Sequence, residues 1–108
     1  MMYDMANIKK LRLLGEGAPG AWEGYKAFDK AAMADGAVPK KYKELIALGV
    51  ALTTQCPYCL EIHRKAAEAA GATQQELAET AMVAAALRAG AAVTHATHIL
   101  GEAAVGNG

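Results

Sequence analysis

The sequence predicts an all-α fold in one small domain. Alanine, the strongest helix former, fills roughly a quarter of the 108 positions. Prolines, glycines and capping pairs divide the chain at intervals typical of helices. No segment alternates β-branched and polar residues, and no hairpin dipeptide joins two apolar segments, so we predict no strand. With 54% hydrophobic and 20% charged residues, the chain is expected to be globular rather than disordered.

The first third of the chain is predicted to hold two helices separated by a break. Residues 5–15 form a short lead-in helix. The break that follows contains three glycines and a proline: Gly15, Gly17, Pro19 and Gly20. A second helix is predicted over residues 20–35, because apolar residues recur there at helical spacing. Gly36 suits a C-terminal cap for this helix.

The middle of the chain is predicted to be a helical hairpin that turns at residues 53–55. The helix over residues 39–54 has apolar residues on more than one face, so we expect it to be deeply buried. Pro57 fits the first position of the next helix, which should end at Gly71. Cys56 then lies at the N-cap of that helix.

The last third of the chain is predicted to hold two more helices. Thr73 and Glu76 form a capping box that opens a helix reaching Arg88. Gly90 is expected to interrupt this helix, and a final helix is predicted over residues 91–104.

Charge and hydropathy exclude several partners. The net charge is zero, which gives no reason to expect a nucleic-acid partner. We find no secretory leader and no apolar run long enough to cross a bilayer, so we expect a cytoplasmic protein without a membrane partner. A core of small aliphatic residues in so short a chain buries limited area. We therefore expect helix faces to be covered by other subunits.

The segment from Cys56 to His63 carries the most informative chemistry. It holds both cysteines, Cys56 and Cys59, and a histidine four residues after the second. On a helix these three positions share one face. The free N–H groups and the positive dipole end at a helix start favour a thiolate. The pattern predicts a dithiol that can close to a disulfide beside a group that can take a proton.

Two features of the sequence give opposite predictions for which cysteine attacks the substrate first. His63 lies one turn after Cys59 and favours Cys59 as the attacking thiol, whereas the N-cap position favours Cys56. We expect Cys59 to attack and Cys56 to resolve. In an antiparallel hairpin Glu44 lies level with His63 and could orient its imidazole. The alternative is that Glu44 is an exposed helix residue.

The spacing of these four residues resembles a known signature. Glu44, Cys56, Cys59 and His63 match the E-x11-C-x2-C-x3-H pattern of the alkylhydroperoxidase D-like (AhpD-like) proteins, in the carboxymuconolactone decarboxylase superfamily. The resemblance implies an all-α bundle that forms trimers or hexamers. It also implies a thiol-dependent peroxidase or disulfide reductase, in which His63 and Glu44 relay protons for the redox pair. Such an enzyme takes a hydroperoxide or disulfide substrate and an external thiol reductant, and needs no cofactor.

The resemblance covers roughly residues 20–104, which we assign to the helical domain. Residues 1–19 are then a lead-in helix and loop, and residues 105–108 a frayed tail. One position departs from the family pattern, because the best-described members have a histidine where this chain has Tyr58. A tyrosine there could donate a hydrogen bond to a thiolate or a peroxide. The lactone decarboxylases of the superfamily lack the CxxC motif, so decarboxylation is disfavoured.

Two other classes of function stay open. The four signature residues are a possible zinc ligand set, although structural zinc sites usually place a CxxC on a turn. The chain could also be a non-catalytic helical module with inert thiols. His95 and His98, three residues apart, could line a pocket or a subunit contact, but interface or surface positions are the simpler interpretation.

Overall fold

The computed structural model describes residues 3–102, and within them all regular structure is helical. The helices are α1 (Arg12–Gly17), α2 (Pro19–Met33), α3 (Lys40–Thr54), α4 (Pro57–Ala69) and α5 (Gln74–His95). Short 3-10 helices precede α1 at Met5–Leu11 and follow α5 at Ala96–His98. The predicted all-α fold is confirmed.

Helix α3 lies at the centre of the molecule and packs against both α4 and α5. Its buried residues are Glu44, Leu48 and Ala51, which form one stripe at the spacing of a helix face. Ala67 of α4 and Ala84 of α5 complete the buried set among the described residues. Because both are alanines, α4 and α5 can approach α3 closely. The central stripe of α3 therefore holds a carboxylate within an otherwise apolar contact.

Two local features place the start of α4. Gln55 ends α3 in the left-handed conformation, at φ 56°, and the N–H of Cys56 donates to the Ala51 carbonyl at 3.1 Å. The chain then reverses, with Cys56 as N-cap and Pro57 in the first turn of α4, as predicted. The turn fixes the register of the α3–α4 hairpin.

The C-terminal part differs from the prediction at Gly90. Helix α5 opens with the expected Thr73–Glu76 capping box but runs through Gly90 without a break to His95. A helical glycine costs only about 1 kcal/mol relative to alanine, and alanines on both sides of it favour the helix. The predicted separate helix over residues 91–104 is therefore wrong, because residues 99–102 are not helical. The predicted tail lies outside the described residues.

The N-terminal helices form a hairpin of their own. The predicted lead-in helix is a 3-10 helix that continues into α1, and the break is confined to Ala18, because Pro19 already lies in the first turn of α2. A Cβ added at Gly15 would lie 2.9 Å from the Trp22 ring, so glycine permits the close contact between α1 and α2. The ring of Trp22 also stacks on Tyr25, with centroids 5.7 Å apart.

The single chain is extended and leaves large apolar faces uncovered. Its radius of gyration is 18.8 Å, whereas a compact chain of this length has about 13 Å. On α3, Ile46 and Val50 are 58% and 56% exposed, so the expected deep burial of α3 is not reached within one chain. On α5, Leu87 is 69% exposed, and on α2, Phe28 is 71% exposed.

One of these faces borders an open groove between α3 and α5. The groove has a volume of about 470 Å³ and is lined by apolar side chains. They include Leu45, Ile46, Val50, Val83 and Leu87. The apolar side chains buried within the described residues are few and small. Burial of apolar surface within one chain therefore contributes little free energy to its stability. We propose that other copies of this chain cover the groove.

Helix α5 meets the length and composition criteria for a membrane span, which the sequence reasoning overlooked. The segment Gln74–His98 has a mean hydropathy of 1.2 over its most apolar window, and most of its residues are exposed in the single chain. Arg88 lies near the middle of the segment and donates to the Thr53 carbonyl at 2.8 Å. A guanidinium at that depth is costly in a bilayer. This charge favours protein over lipid as the cover for α5.

If copies of the chain cover α5, the protein should sediment as an assembly of several 11.2 kDa chains. Leu87→Glu should shift it to smaller species, because the added carboxylate would be buried without a partner. Analytical ultracentrifugation measures both. Gln75→Glu adds the same charge at an exposed polar position of α5 and should leave the assembly intact. A wild-type protein that sediments as a single chain at micromolar concentration would contradict the proposal.

Candidate active site

The two cysteines lie together in the first turn of α4. Cys56 is the N-cap, and the backbone N–H of Cys59 donates to the Cys56 sulfur at 3.3 Å. Both are free thiols, and both side chains are half-buried. A sulfur at this position takes the place of the hydroxyl or carboxylate oxygen that usually caps a helix. The fold therefore directs the N-terminal N–H groups of α4 towards Cys56.

Glu44 and His63 meet across the α3–α4 hairpin. The His63 Nδ1 and the Glu44 Oε2 are 2.6 Å apart, and Glu44 is only 2% exposed. The expectation that Glu44 lies level with His63 is confirmed, and the alternative of an exposed Glu44 is wrong. Because a carboxylate can only accept, Nδ1 carries the hydrogen, and Nε2 of the neutral ring is the atom that can take a proton.

Lys40 is a third member of this cluster that the sequence reasoning missed. Its Nζ lies 2.9 Å from the other carboxylate oxygen of Glu44, Oε1. Burial favours a higher pKa for Glu44, but the hydrogen bonds from His63 and Lys40 outweigh it and lower the pKa. Glu44 is therefore a carboxylate at neutral pH. The spacing of four residues between Lys40 and Glu44 was the available signal.

The environments of the two thiols separate their pKa values. A hydrogen bond from the Cys59 thiol has the largest effect and lowers the pKa of Cys56. Hydrogen bonds from backbone N–H groups at the helix start lower it further. The same hydrogen bond, together with burial, raises the pKa of Cys59 to about 11. The first thiolate of the pair is therefore that of Cys56. This pKa order favours Cys56 as the attacking thiol, whereas we expected Cys59 from the sequence.

Tyr58, the residue inside the CxxC, is held by the N-terminal segment. Its hydroxyl accepts a hydrogen bond from Asn7 Nδ2 at 3.1 Å, and its ring meets the edge of Tyr3 at a centroid distance of 6.1 Å. Asn7 and Tyr3 carried no pattern that sequence reasoning could have detected, because they lie about 50 residues from Tyr58. The contact ties the 3-10 helix at the N-terminus to the turn that carries the thiols.

Other predicted site residues lie elsewhere or do not form the expected group. His95 and His98 contact each other at the end of α5, with centroids 5.6 Å apart, and both are exposed. In residues 3–102, no cluster of three or more His, Cys, Asp or Glu side chains is arranged to hold a metal ion. The four residues of the zinc hypothesis are thus not disposed as a ligand set.

Comparison with known proteins places the chain in a family. The model of the carboxymuconolactone decarboxylase family matches residues 19–102. The chain belongs to the carboxymuconolactone decarboxylase family. The resemblance drawn from the four signature residues is thereby confirmed at the level of the family.

Two solved structures and two curated proteins are similar to this family member. A carboxymuconolactone decarboxylase family protein from Legionella pneumophila is 35% identical, with a TM-score of 0.70 over 74% of this chain and 71% of its own. A protein from Methanobacterium thermoautotrophicum is 36% identical, with a TM-score of 0.75 over 80% of this chain and 97% of its own. Uncharacterized protein 4 in the cox locus of Paracoccus denitrificans is 44% identical over 92% of both chains. An uncharacterized protein from Cupriavidus necator is 38% identical over 61% of this chain and 58% of its own.

The pKa order of the thiols can be tested with limiting iodoacetamide at pH 7. Cys56 should be alkylated at least about tenfold faster than Cys59, because only thiolates react and the Cys59 thiol stays protonated. Fragment-ion mass spectrometry of the tryptic peptide over residues 44–64 assigns the modified sulfur. Urea-unfolded protein is the control, in which the two rates should converge. Faster labelling of Cys59 in the native protein would restore the order expected from sequence.

Proposed function

We propose that this protein is a thiol-dependent oxidoreductase that reduces hydroperoxides or disulfides through a dithiol–disulfide cycle. The observation that supports this proposal is that the α3–α4 hairpin holds both a thiolate-stabilising helix start and a histidine–carboxylate pair. The N-terminus of α4 stabilises a thiolate at Cys56, and the Glu44–His63 pair supplies a proton acceptor one turn after Cys59. A structural module needs neither device.

In the first proposed step, the Cys56 thiolate attacks a hydroperoxide. Its sulfur forms a bond to the terminal oxygen as the O–O bond breaks. The alkoxide leaves and takes a proton to become an alcohol, and Cys56 becomes a sulfenic acid. The helix start favours this step because it increases the fraction of thiolate at neutral pH.

In the second proposed step, Cys59 closes the disulfide. With a pKa of about 11, Cys59 needs a base to react near neutral pH. His63 lies one turn away on α4, and its Nε2 takes the Cys59 proton while Glu44 holds the resulting imidazolium. The Cys59 sulfur then bonds to the Cys56 sulfur, and the hydroxyl leaves as water. Two electrons pass from the dithiol to the peroxide, and an external thiol reductant restores both thiols.

The same geometry serves a disulfide substrate. The Cys56 thiolate attacks one sulfur of the substrate and forms a mixed disulfide, and the leaving thiolate takes a proton. Cys59, deprotonated by His63, then displaces the second substrate thiol. We propose the cytoplasm as the location, because a reducing compartment would restore the dithiol, and a homo-oligomer (trimer or hexamer) as the working form. Neither a nucleic-acid nor a membrane partner is part of the proposal.

The decisive experiment is a thiol count on the reduced protein before and after about one equivalent of cumene hydroperoxide. Both thiols should disappear together, with a loss of two hydrogens in the intact mass, and both should return with dithiothreitol. The same measurement with oxidised glutathione tests the disulfide substrate. Cys59→Ser is the matched control, which should stop at a sulfenic acid that dimedone traps. Two thiols that survive both oxidants would refute the proposed function.

Removal of either end of the Glu44–His63 pair should slow disulfide closure. We expect His63→Gln to reduce turnover by about 10²-fold and Glu44→Gln by about tenfold, because the first removes the base and the second only its support. Steady-state peroxide consumption with dithiothreitol as reductant measures both. His95→Gln makes the same change on an exposed histidine and should leave turnover unchanged. Full activity of His63→Gln would exclude His63 as the base.

A further inference from the structure

We propose that Lys40 is a positioning residue that sets how readily His63 gives up and takes a proton, acting through Glu44. Lys40, Glu44 and His63 form a chain of contacts in which each oxygen of one carboxylate has its own nitrogen partner. Glu44 Oε1 lies 2.9 Å from Lys40 Nζ, and Glu44 Oε2 lies 2.6 Å from His63 Nδ1. This inference deepens the proposed function and rests on it for its consequence in turnover, although the interaction itself can be tested without substrate.

The position of Lys40 is fixed from two sides. Its Nζ also donates to the Met33 carbonyl at 3.1 Å, at the C-terminal end of α2. That end carries the negative pole of the helix dipole, which attracts an ammonium group. In addition, the backbone N–H of Lys40 donates to the Asp35 side chain, which holds the first residue of α3 against the loop before it. The ammonium is thereby held beside the carboxylate, although nearly half of its side chain is exposed.

Burial of Glu44 makes the interaction strong enough to matter. The Glu44 side chain is 3% exposed, so water screens its charge poorly. Without Lys40, this carboxylate would face His63 alone and would hold the proton of the imidazolium more tightly. With Lys40 in place, one oxygen of the carboxylate already has a cationic partner, which weakens the attraction of Glu44 for a proton on His63.

The other charges around His63 have partners of their own. On α3, Lys41 pairs with Glu76 of α5 at 2.8 Å, and Lys43 binds the carbonyls of Ala32 and Ala34.

On α4, the remaining charges form a separate group along the helix. Arg64 contacts Glu61 at 2.9 Å and Glu68 at 2.7 Å, and Lys65 lies 3.5 Å from Glu61. The two thiols lie one and two turns before His63. Within residues 3–102, Lys40 is therefore the cation that contacts Glu44 together with His63.

The test compares Lys40→Met, Lys40→Arg and Lys43→Met in the intact protein. Lys40→Met should move the acid limb of the pH–rate profile for disulfide closure to higher pH by about one unit, because the unshared carboxylate retains the imidazolium. Turnover at pH 7 should then fall, by at most about tenfold. Lys40→Arg should restore the wild-type profile, since it keeps the charge. Lys43→Met also removes a lysine bound to the end of α2 but not to Glu44, so its profile should match wild type.

A second measurement separates this inference from the proposed function. The ¹⁵N shifts of the His63 ring report its protonation in the reduced protein without any oxidant, and His63→Gln assigns its signals among the three histidines. The change from imidazolium to neutral ring should occur at higher pH in Lys40→Met than in wild type. If this change and the rate profile both match wild type, Lys40 has no role in the pair. If the ¹⁵N shifts of His63 change in Lys40→Met but the wild-type thiols do not react with peroxides or disulfides, the role of Lys40 is supported and the proposed function is refuted.

Discussion

The buried carboxylate of Glu44 is the constraint on which the arrangement of the site depends. A charged group that is 2% exposed would destabilise the fold unless both oxygens had partners. Lys40 and His63 satisfy one oxygen each, and they come from different helices. The α3–α4 hairpin must therefore keep a single register, which the left-handed turn at Gln55 sets. The same register brings Glu44 level with His63, which lies one turn after Cys59 on α4.

This arrangement activates the two cysteines by different means. The thiol of Cys59 and backbone N–H groups lower the pKa of Cys56, and both are in place before any substrate binds. The hydrogen bond to Cys56 and burial raise the pKa of Cys59, so in the proposed reaction Cys59 depends on a side chain that can accept its proton. The difference suits a two-step reaction, because a thiolate is needed first at one sulfur and only later at the other. If both thiols had low pKa values, their two negative charges would repel each other within one turn of helix.

Sequence reasoning succeeded at the helix caps and at the Glu44–His63 contact, and it failed at Gly90 and for the burial of α3. The cap at Cys56 and the Thr73–Glu76 capping box depend on residues within one turn, so both were predictable. The break expected at Gly90 was not observed, because propensity is a weak constraint inside a long alanine-rich helix. The burial of α3 was overestimated, since one chain leaves Ile46 and Val50 of this helix more than half exposed. The order of the thiols depends on which sulfur the N–H groups reach, and spacing does not encode that.

The replacement of the family's internal histidine by Tyr58 gives Lys40 its importance. The Tyr58 hydroxyl already accepts a hydrogen bond from Asn7, and a phenol is a poor proton acceptor near neutral pH. Tyr58 therefore contacts the N-terminal segment through its oxygen, while its O–H stays able to donate. In the proposed reaction, proton transfer at Cys59 then depends on His63, without a second imidazole inside the motif. A site with one base is sensitive to the charge balance around that base, and Lys40 is the residue that adjusts this balance through Glu44.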